Sequence, residues 1–395
     1  MATIEERIGK KGTSYRITVE NGRDSDNKRI RPRMTYTPKP GMSKREIASE
    51  LNRTAVEFET RIKQGIYFDS RMKFCDYAKY WMSINKENLE IGSYAKYEYL
   101  LVRINQGIGH IQMDRLQVAH LQLFYKSLRE IVSEKTGKKL SDQTILHYHR
   151  YIATVLAQAT REGVIPRNIA GREFIKAPKV KKKEPRFLDD NESRRFIDCI
   201  VDEDDIRHRT VMYIFIYTGF RIGELTGLEW QDIDYENKKI YVRRTSQYKN
   251  GYGLYTKEPK NEESIRTITI SDDLIPILKD YNKWYNRQRL MHGDIWPNSN
   301  RLFITNDGSP IYPGTINKWL NKFCEKHGFN ITPHSLRHTN ITLQITHGVD
   351  IRTAAGRAGH SRSSTTLDMY SHAIKSADEH AAQTLNDILS PTKHS

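Results

Sequence analysis

The sequence predicts an α+β, multidomain protein: a small N-terminal three-stranded sheet with one helix, then a helical domain, then a mainly helical domain with a small antiparallel sheet. Three observations predict this. Residues suited to strands occur only in short runs near 15–19, 28–36, 240–242 and 266–270. Apolar residues recur at helical spacing over most of the remainder. A basic stretch bracketed by Pro178 and Pro185 interrupts the pattern and reads as a linker. At 395 residues the chain can bury two or three separate cores. The expected limits are residues 1–65, 70–176, 177–186 for the linker, and 187–395.

In the first segment Tyr15-Arg16-Ile17-Thr18-Val19 alternates with period two, Asn21 to Asn27 is turn chemistry, and Lys28 to Tyr36 reads as a further strand. Ser43 and Glu46 form an S-x-x-E capping box, behind which Ile47, Leu51, Phe58 and Ile62 repeat at helical spacing. The segment holds 15 basic and nine acidic residues, and the cations gather on the strands. A two-stranded ribbon fits the DNA major groove, so Arg16, Lys28, Arg29, Arg31 and Arg33 are candidate DNA contacts.

The second segment reads as nearly all helix. Phe74, Tyr77, Ala78 and Trp81 share one face. Leu116, Leu121, Phe124 and Leu128 mark a helix expected after Asp114. Ile145, Tyr148, Ile152, Val155, Leu156 and Ala159 form a stripe capped by Ser141 and ended by Gly163. These stripes are core, and Lys96, Arg103, Lys126, Arg150 and Arg161 on the polar faces are placed to touch phosphates. The linker exposes Lys181, Lys182 and Lys183, further candidate DNA contacts. In the third segment Leu188 to Glu192 is a helix start, Val211 to Tyr217 is a buried run, and Ile240-Tyr241-Val242 pairs with Arg266 to Ile270 around a Gly- and Lys-rich stretch.

The net charge of +16 points to a polyanionic partner. No apolar run approaches the ~18 residues of a membrane span, and Met1 to Arg7 lacks a signal-peptide core, so a cytoplasmic location and no membrane partner are expected. Cys75, Cys199 and Cys324 fall in no paired spacing, which argues against disulfides and zinc; they are expected as small buried residues. No histidine pair has ligand spacing, and no metal or other cofactor is expected.

Four short motifs carry the chemistry. They are Thr218-Gly219-Phe220-Arg221-Ile222-Gly223-Glu224-Leu225, then Pro259-Lys260, Pro333-His334-Ser335-Leu336-Arg337-His338, and Gly359-His360 with Tyr370 ten positions on. Phosphodiester cleavage needs a nucleophile, charge neutralisation on the non-bridging oxygens, and an acid for the leaving alkoxide. Without clustered carboxylates to hold magnesium, Arg221 and Arg337 suit the charge role, because guanidinium is permanently charged and grips two phosphate oxygens. His334 and Arg337, three apart, can address one phosphate. Glu224 lies one turn after Arg221 and reads as a residue that orients its neighbours. Gly219 and Gly223 are expected to let the backbone come near DNA.

In order and local context these motifs resemble the tyrosine recombinase family, and the whole-chain layout is similar to phage and conjugative-transposon integrases. The resemblance implies Tyr370 as the nucleophile; it is singled out among 22 tyrosines by its distance from Gly359-His360 and by the Ser371-His372-Ala373 that follows. It implies a 3′-phosphotyrosine intermediate, a free 5′-hydroxyl and strand exchange through a Holliday junction without ATP. Lys260 would be the general acid, with Lys257 competing; His360 would donate to a non-bridging oxygen, and His338 and His372 would be structural. Residues 1–65 would hold arm-type sites, residues 70–176 would be the SAM-like core-binding domain, and residues 187–395 the catalytic domain. The amphipathic tail, from Ala373 to Leu389, would fold back in cis or dock on a neighbouring protomer. Expected partners are core- and arm-type attachment sites on double-stranded DNA and three further copies in a tetramer, with an excisionase and a DNA-bending host protein as candidate accessories, on the nucleoid of a bacterial host. The chain departs from the family pattern at Ile169, Thr269 and Ala358, none of which touches the chemistry. A type IB topoisomerase shares the same residue set, and chromosome-dimer-resolving or DNA-inverting recombinases are a second alternative; the basic N-terminal segment and the tail beyond Tyr370 favour an integrase.

Overall fold

A computed structural model describes residues 2–9, 12–23, 27, 29–63, 72–134, 136–180, 185–257, 265–297, 299–359 and 389. The chain divides into two compact units, Met1–Lys182 and Lys183–Ser395.

The first unit opens with an antiparallel sheet in the order β1 (Thr3–Gly9), β2 (Gly12–Thr18), β3 (Arg33–Tyr36). Strand β1 escaped the sequence pattern because it is an edge strand with little to bury: Ile4 and Ile8 stay exposed. Strand β3 is shorter than expected. Pro32 has no N–H for the ladder, although its carbonyl still accepts from Val19 N at 3.1 Å. Helix α1 (Lys44–Lys63) starts at the expected box, with Ser43 N donating to Glu46 Oε2 at 2.8 Å. It lays Leu51, Ala55 and Phe58 on Ile17, Met34 and Tyr36.

Four helices follow: α2 (Phe74–Ile84), α3 (Ile91–Gly107), α4 (Val118–Glu130) and α5 (Asp142–Arg161). The expected stripes on α2 and α5 are buried throughout. Ser141 caps α5 by accepting from Thr144 N at 3.2 Å. Helix α4 starts later than expected. Met113–Arg115 forms a 3-10 turn, and the helix is capped by Gln117, whose N–H donates to the His120 ring at 3.1 Å. That pair lacks the usual capping residues, so Asp114 drew the boundary too early.

The second unit begins with α6 (Asp190–Val201), closed by the Asp189–Glu192 capping box, and α7 (Ile206–Thr218), whose residues 210–216 are buried. Then come α8 (Ile222–Gly227), β4 (Ile233–Asp234), β5 (Lys239–Val242), the hairpin β6 (Thr245–Lys249) and β7 (Gly253–Lys257), and β8 (Arg266–Thr269). The expected pairing is present: β5 and β8 are antiparallel with Ile240 opposite Ile268, and β4 joins on the far side of β5. Helices α9 (Leu274–His292), α10 (Pro313–His327), α11 (Pro333–Thr346) and α12 (Ile351–Ala358) complete the unit.

Helix α11 is buried although much of it is polar, and several of its polar side chains find partners across the core. Thr339 Oγ1 accepts from Leu188 N at 2.9 Å, and Asn340 Nδ2 donates to Ile216 O at 2.7 Å. Leu336, Ile341 and Ile345 add about 2 kcal/mol each in removed apolar surface. Of the cysteines only Cys324 is fully buried; Cys75 and Cys199 are half-buried, and Cys199 packs against the edge of the core. No described helix is long and apolar enough to cross a membrane.

Candidate active site

Helix α7 ends at Gly219, which adopts φ +64° and donates its N–H to Phe215 O at 2.9 Å. The freed Gly219 carbonyl accepts from Arg337 Nη1 at 2.8 Å. Glycine is required here for two reasons: the left-handed backbone, and a Cβ that would lie 2.7 Å from Asn340 Oδ1. At Gly223 a Cβ would lie 2.5 Å from Thr245 Oγ1. Both glycines therefore serve internal packing, of α7 on α11 and of α8 on β6.

Arg221 is not inside a helix but at the N-cap of α8. Glu224 reaches back to accept Arg221 N at 2.9 Å and Nη1 at 2.7 Å. Arg337 is 1% exposed, on the buried face of α11. The two guanidiniums meet at the end of α12: Arg337 Nη2 donates to Ala358 O at 2.5 Å, and Arg221 Nη2 donates to Gly359 O at 2.7 Å. Gly359 has φ +68°, the turn that presents consecutive carbonyls to two arginines. His360 is the next residue in the chain.

Arg266 at the start of β8 closes the cluster from behind. It grips Glu224 end-on, Nη1 to Oε1 at 3.0 Å and Nη2 to Oε2 at 2.9 Å, and its Nε donates to Arg357 O at 2.7 Å. Burial pushes the Glu224 carboxyl up, but Arg266 and then Arg221 override it and hold the group below the usual carboxylate range.

His334 lies at the open N-terminal end of α11 with its ring 4.4 Å from that of His338. The surrounding protein, then the charges of Arg337 and Arg221, lower its pKa. Burial, then His334 and Arg337, push the buried His338 down to about 4. Both imidazoles are thus neutral near pH 7, and a neutral ring at His334 can accept a proton.

Residues 186–377 match the phage integrase family, and residues 73–175 match the phage integrase SAM-like domain. The chain belongs to the phage integrase family. It is an enzyme of the tyrosine recombinases, which cleave and rejoin DNA. It is 26% identical to a XerC-like tyrosine recombinase of Caldanaerobacter subterraneus subsp. tengcongensis over 95% of this chain and 96% of that protein. It is 25% identical to the ICEBs1 integrase of Bacillus subtilis, over 95% and 97%. In fold it resembles the Tn1549 transposon integrase, solved in complex with a circular intermediate DNA, with TM-score 0.66 at 21% identity over 80% of this chain and 99% of that one. It also resembles a lambda integrase dimer bound to a core site, with TM-score 0.55 at 14% identity over 92% and 94%.

The structure of this family member thus brings Arg221, Glu224, His334 and Arg337 together from α8 and α11. Lys260, His360, Tyr370 and His372 lie outside the described residues, as do Lys28, Lys181, Lys182, Lys183 and the tail over 373–388. Lys257 ends β7 opposite Thr245, the residue packed against Gly223. Among the described residues no group of three His, Cys, Asp or Glu is placed to hold a metal ion. On the N-terminal sheet, Arg16 and Arg33 occupy register positions on the face away from α1, and Arg16 lies 3.8 Å from Glu5. Arg31 is tied to Glu20 at 2.7 Å, with Arg29 at 4.0 Å from the same carboxylate.

Sequence reading missed Arg266. A signal was present, since Arg266, Ile268 and Ile270 alternate onto one face, and an arginine in step with two buried isoleucines requires a carboxylate partner. It also missed Asn340, which lies one turn after Arg337 on α11 and locks that helix to α7.

Proposed function

We propose that this recombinase is an integrase that inserts and excises a mobile element at specific attachment sites. The observation that carries the reading is the anchoring of Arg221 and Arg337 on consecutive carbonyls immediately before His360. Two cations from different helices converge on one turn, which suits a scissile phosphate whose charge must be neutralised as the phosphorus becomes five-coordinate.

In this reading Tyr370 Oη attacks the phosphorus as its proton passes to the neutral His334 imidazole. The P–O5′ bond breaks, Lys260 protonates the departing 5′-oxygen, and Arg221, Arg337 and His360 hold the non-bridging oxygens. The product is a 3′-phosphotyrosine and a 5′-hydroxyl; attack by a 5′-hydroxyl of the partner duplex reverses the steps and conserves the bond energy, so no nucleotide is consumed. Two rounds pass through a Holliday junction and call for four protomers on two duplexes. Residues 1–65 would hold arm-type sites, residues 70–176 the core site, residues 177–186 would link the halves, and the tail beyond Tyr370 would connect protomers. The reaction belongs in the cytoplasm, on the host nucleoid.

The test is a nicked suicide duplex carrying the crossover sequence read from the junction of the excised element, incubated with the full chain in EDTA. A covalent complex is expected whose DNA-linked peptide contains Tyr370. Tyr370→Phe should abolish it while DNA binding persists. Mapping to another residue, or a need for magnesium, would overturn the reading. Lys260→Ala against Lys257→Ala on the same substrate identifies the acid.

A further inference from the structure

Glu224 faces two arginines that differ in what else they can reach. Arg221 is 43% exposed at the open side of the cluster, whereas Arg266 is 7% exposed and fully engaged by Glu224 and the Arg357 carbonyl. A buried carboxylate with Arg221 as its sole cation would cancel that charge, and a phosphate arriving at the site would compete with Glu224 for the guanidinium. Arg266 removes this competition. It presents two parallel N–H groups to the two carboxylate oxygens, the stronger geometry for such a pair, and leaves Arg221 holding Glu224 through the one side-chain contact at 2.7 Å and the backbone N–H.

Arg266 also sets the position of the acceptor. Its Nε holds Arg357 O, the carbonyl directly before those of Ala358 and Gly359, which anchor Arg337 and Arg221. A Cβ on Gly359 would lie 2.8 Å from Arg266 Nη1, so the end of α12 rests directly on this guanidinium. Helix α8, strand β8 and helix α12 meet there, and the Phe220 ring lies 5.6 Å beneath it.

We propose that Arg266 is a positioning residue for strand cleavage. By taking up the charge of Glu224 and bracing the α12 turn, it keeps the Arg221 cation available to the scissile phosphate. The inference rests on the reading that Arg221 neutralises that phosphate.

The experiment compares single-turnover cleavage of the nicked suicide duplex with its scissile position as phosphate or as methylphosphonate. The methylphosphonate carries no negative charge, so cleaving it relaxes the need for the cation. Arg266→Met in the full chain should cleave the phosphate roughly 10²-fold more slowly, and the deficit should shrink to under about tenfold on the methylphosphonate. Arg266→Lys, which keeps a charge but loses the two-pronged grip, should fall between. A purely structural defect slows both substrates alike, and that result overturns the proposal. Arg221→Ala run alongside separates the two failures. If its deficit does not shrink either, the reading of Arg221 falls; if it shrinks while that of Arg266→Met does not, Arg266 alone is misassigned. Should Arg266→Met lose its folded circular-dichroism signal, the Arg266→Met/Glu224→Gln pair takes its place, since it leaves no buried carboxylate unpaired. That pair removes the carboxylate that competes for Arg221 but still leaves the α12 turn unbraced, so its deficit on the phosphate should shrink on the methylphosphonate; a deficit equal on both substrates overturns the proposal in the same way.

Discussion

Replacing Arg337 by lysine keeps the charge and removes the fork. In the native protein Nη1 holds Gly219 O at 2.8 Å and Nη2 holds Ala358 O at 2.5 Å, in a position 1% exposed to solvent. An ammonium group in that space can hold one of these carbonyls while it faces the phosphate, so one charge-assisted hydrogen bond is lost, about 2 kcal/mol. For a unit near 200 residues this lowers the melting temperature by roughly 6 °C. In the transition state the loss of bidentate grip on the phosphate costs about 3 kcal/mol, or roughly 10²-fold in rate. The assay pairs a thermal melt with single-turnover cleavage of the suicide duplex, with DNA affinity measured separately. Slower cleavage with a lowered melting point and little change in affinity is expected. A variant that melts early but cleaves at the parental rate would remove Arg337 from the phosphate. An unchanged melting point would refute the argument from the two carbonyls.

Two further outcomes are expected, the first from the proposed domain roles and the second from the burial of His338. Deleting residues 1–65 should leave cleavage of a core-site duplex intact and abolish binding to arm-type sequence in a gel-shift; loss of core cleavage along with it would contradict a separable N-terminal domain. The His338 pKa of about 4 lies below its ordinary value of about 6.5, so the unfolded chain binds the proton more readily. Stability is therefore whole above about pH 6.5 and is lost as pH falls toward 4, with His334 acting in the same direction. His338→Asn should flatten the acid limb of the urea midpoint between those pH values, and an identical acid limb in both proteins would show that the ring is not buried neutral.

Much of this was legible in the chain because the relevant physics is local. The apolar stripes on α2 and α5, the capping boxes at Ser43 and Asp189, and the β5–β8 alternation each involve residues a few positions apart, and each is present in the fold. Local signals failed where burial was slight or chemistry unusual. Strand β1 has exposed isoleucines, and α4 is capped by glutamine and histidine.

Residue types and their order were set by the sequence alone, and with them the chemistry on offer: guanidiniums able to hold phosphate, imidazoles able to take protons, a phenol able to attack. Only the tertiary structure decided how they act together. Arg221 reaches a carbonyl 138 positions away, Arg337 reaches one 118 positions away, and Glu224 is shared with an arginine 42 positions along the chain. A periodic pattern weighs each residue against its near neighbours, whereas a guanidinium's partners depend on which backbone turns the fold brings within 3 Å of it. The left-handed turns at Gly219 and Gly359 help present those carbonyls, and their alignment depends on how α7, α11 and α12 pack together.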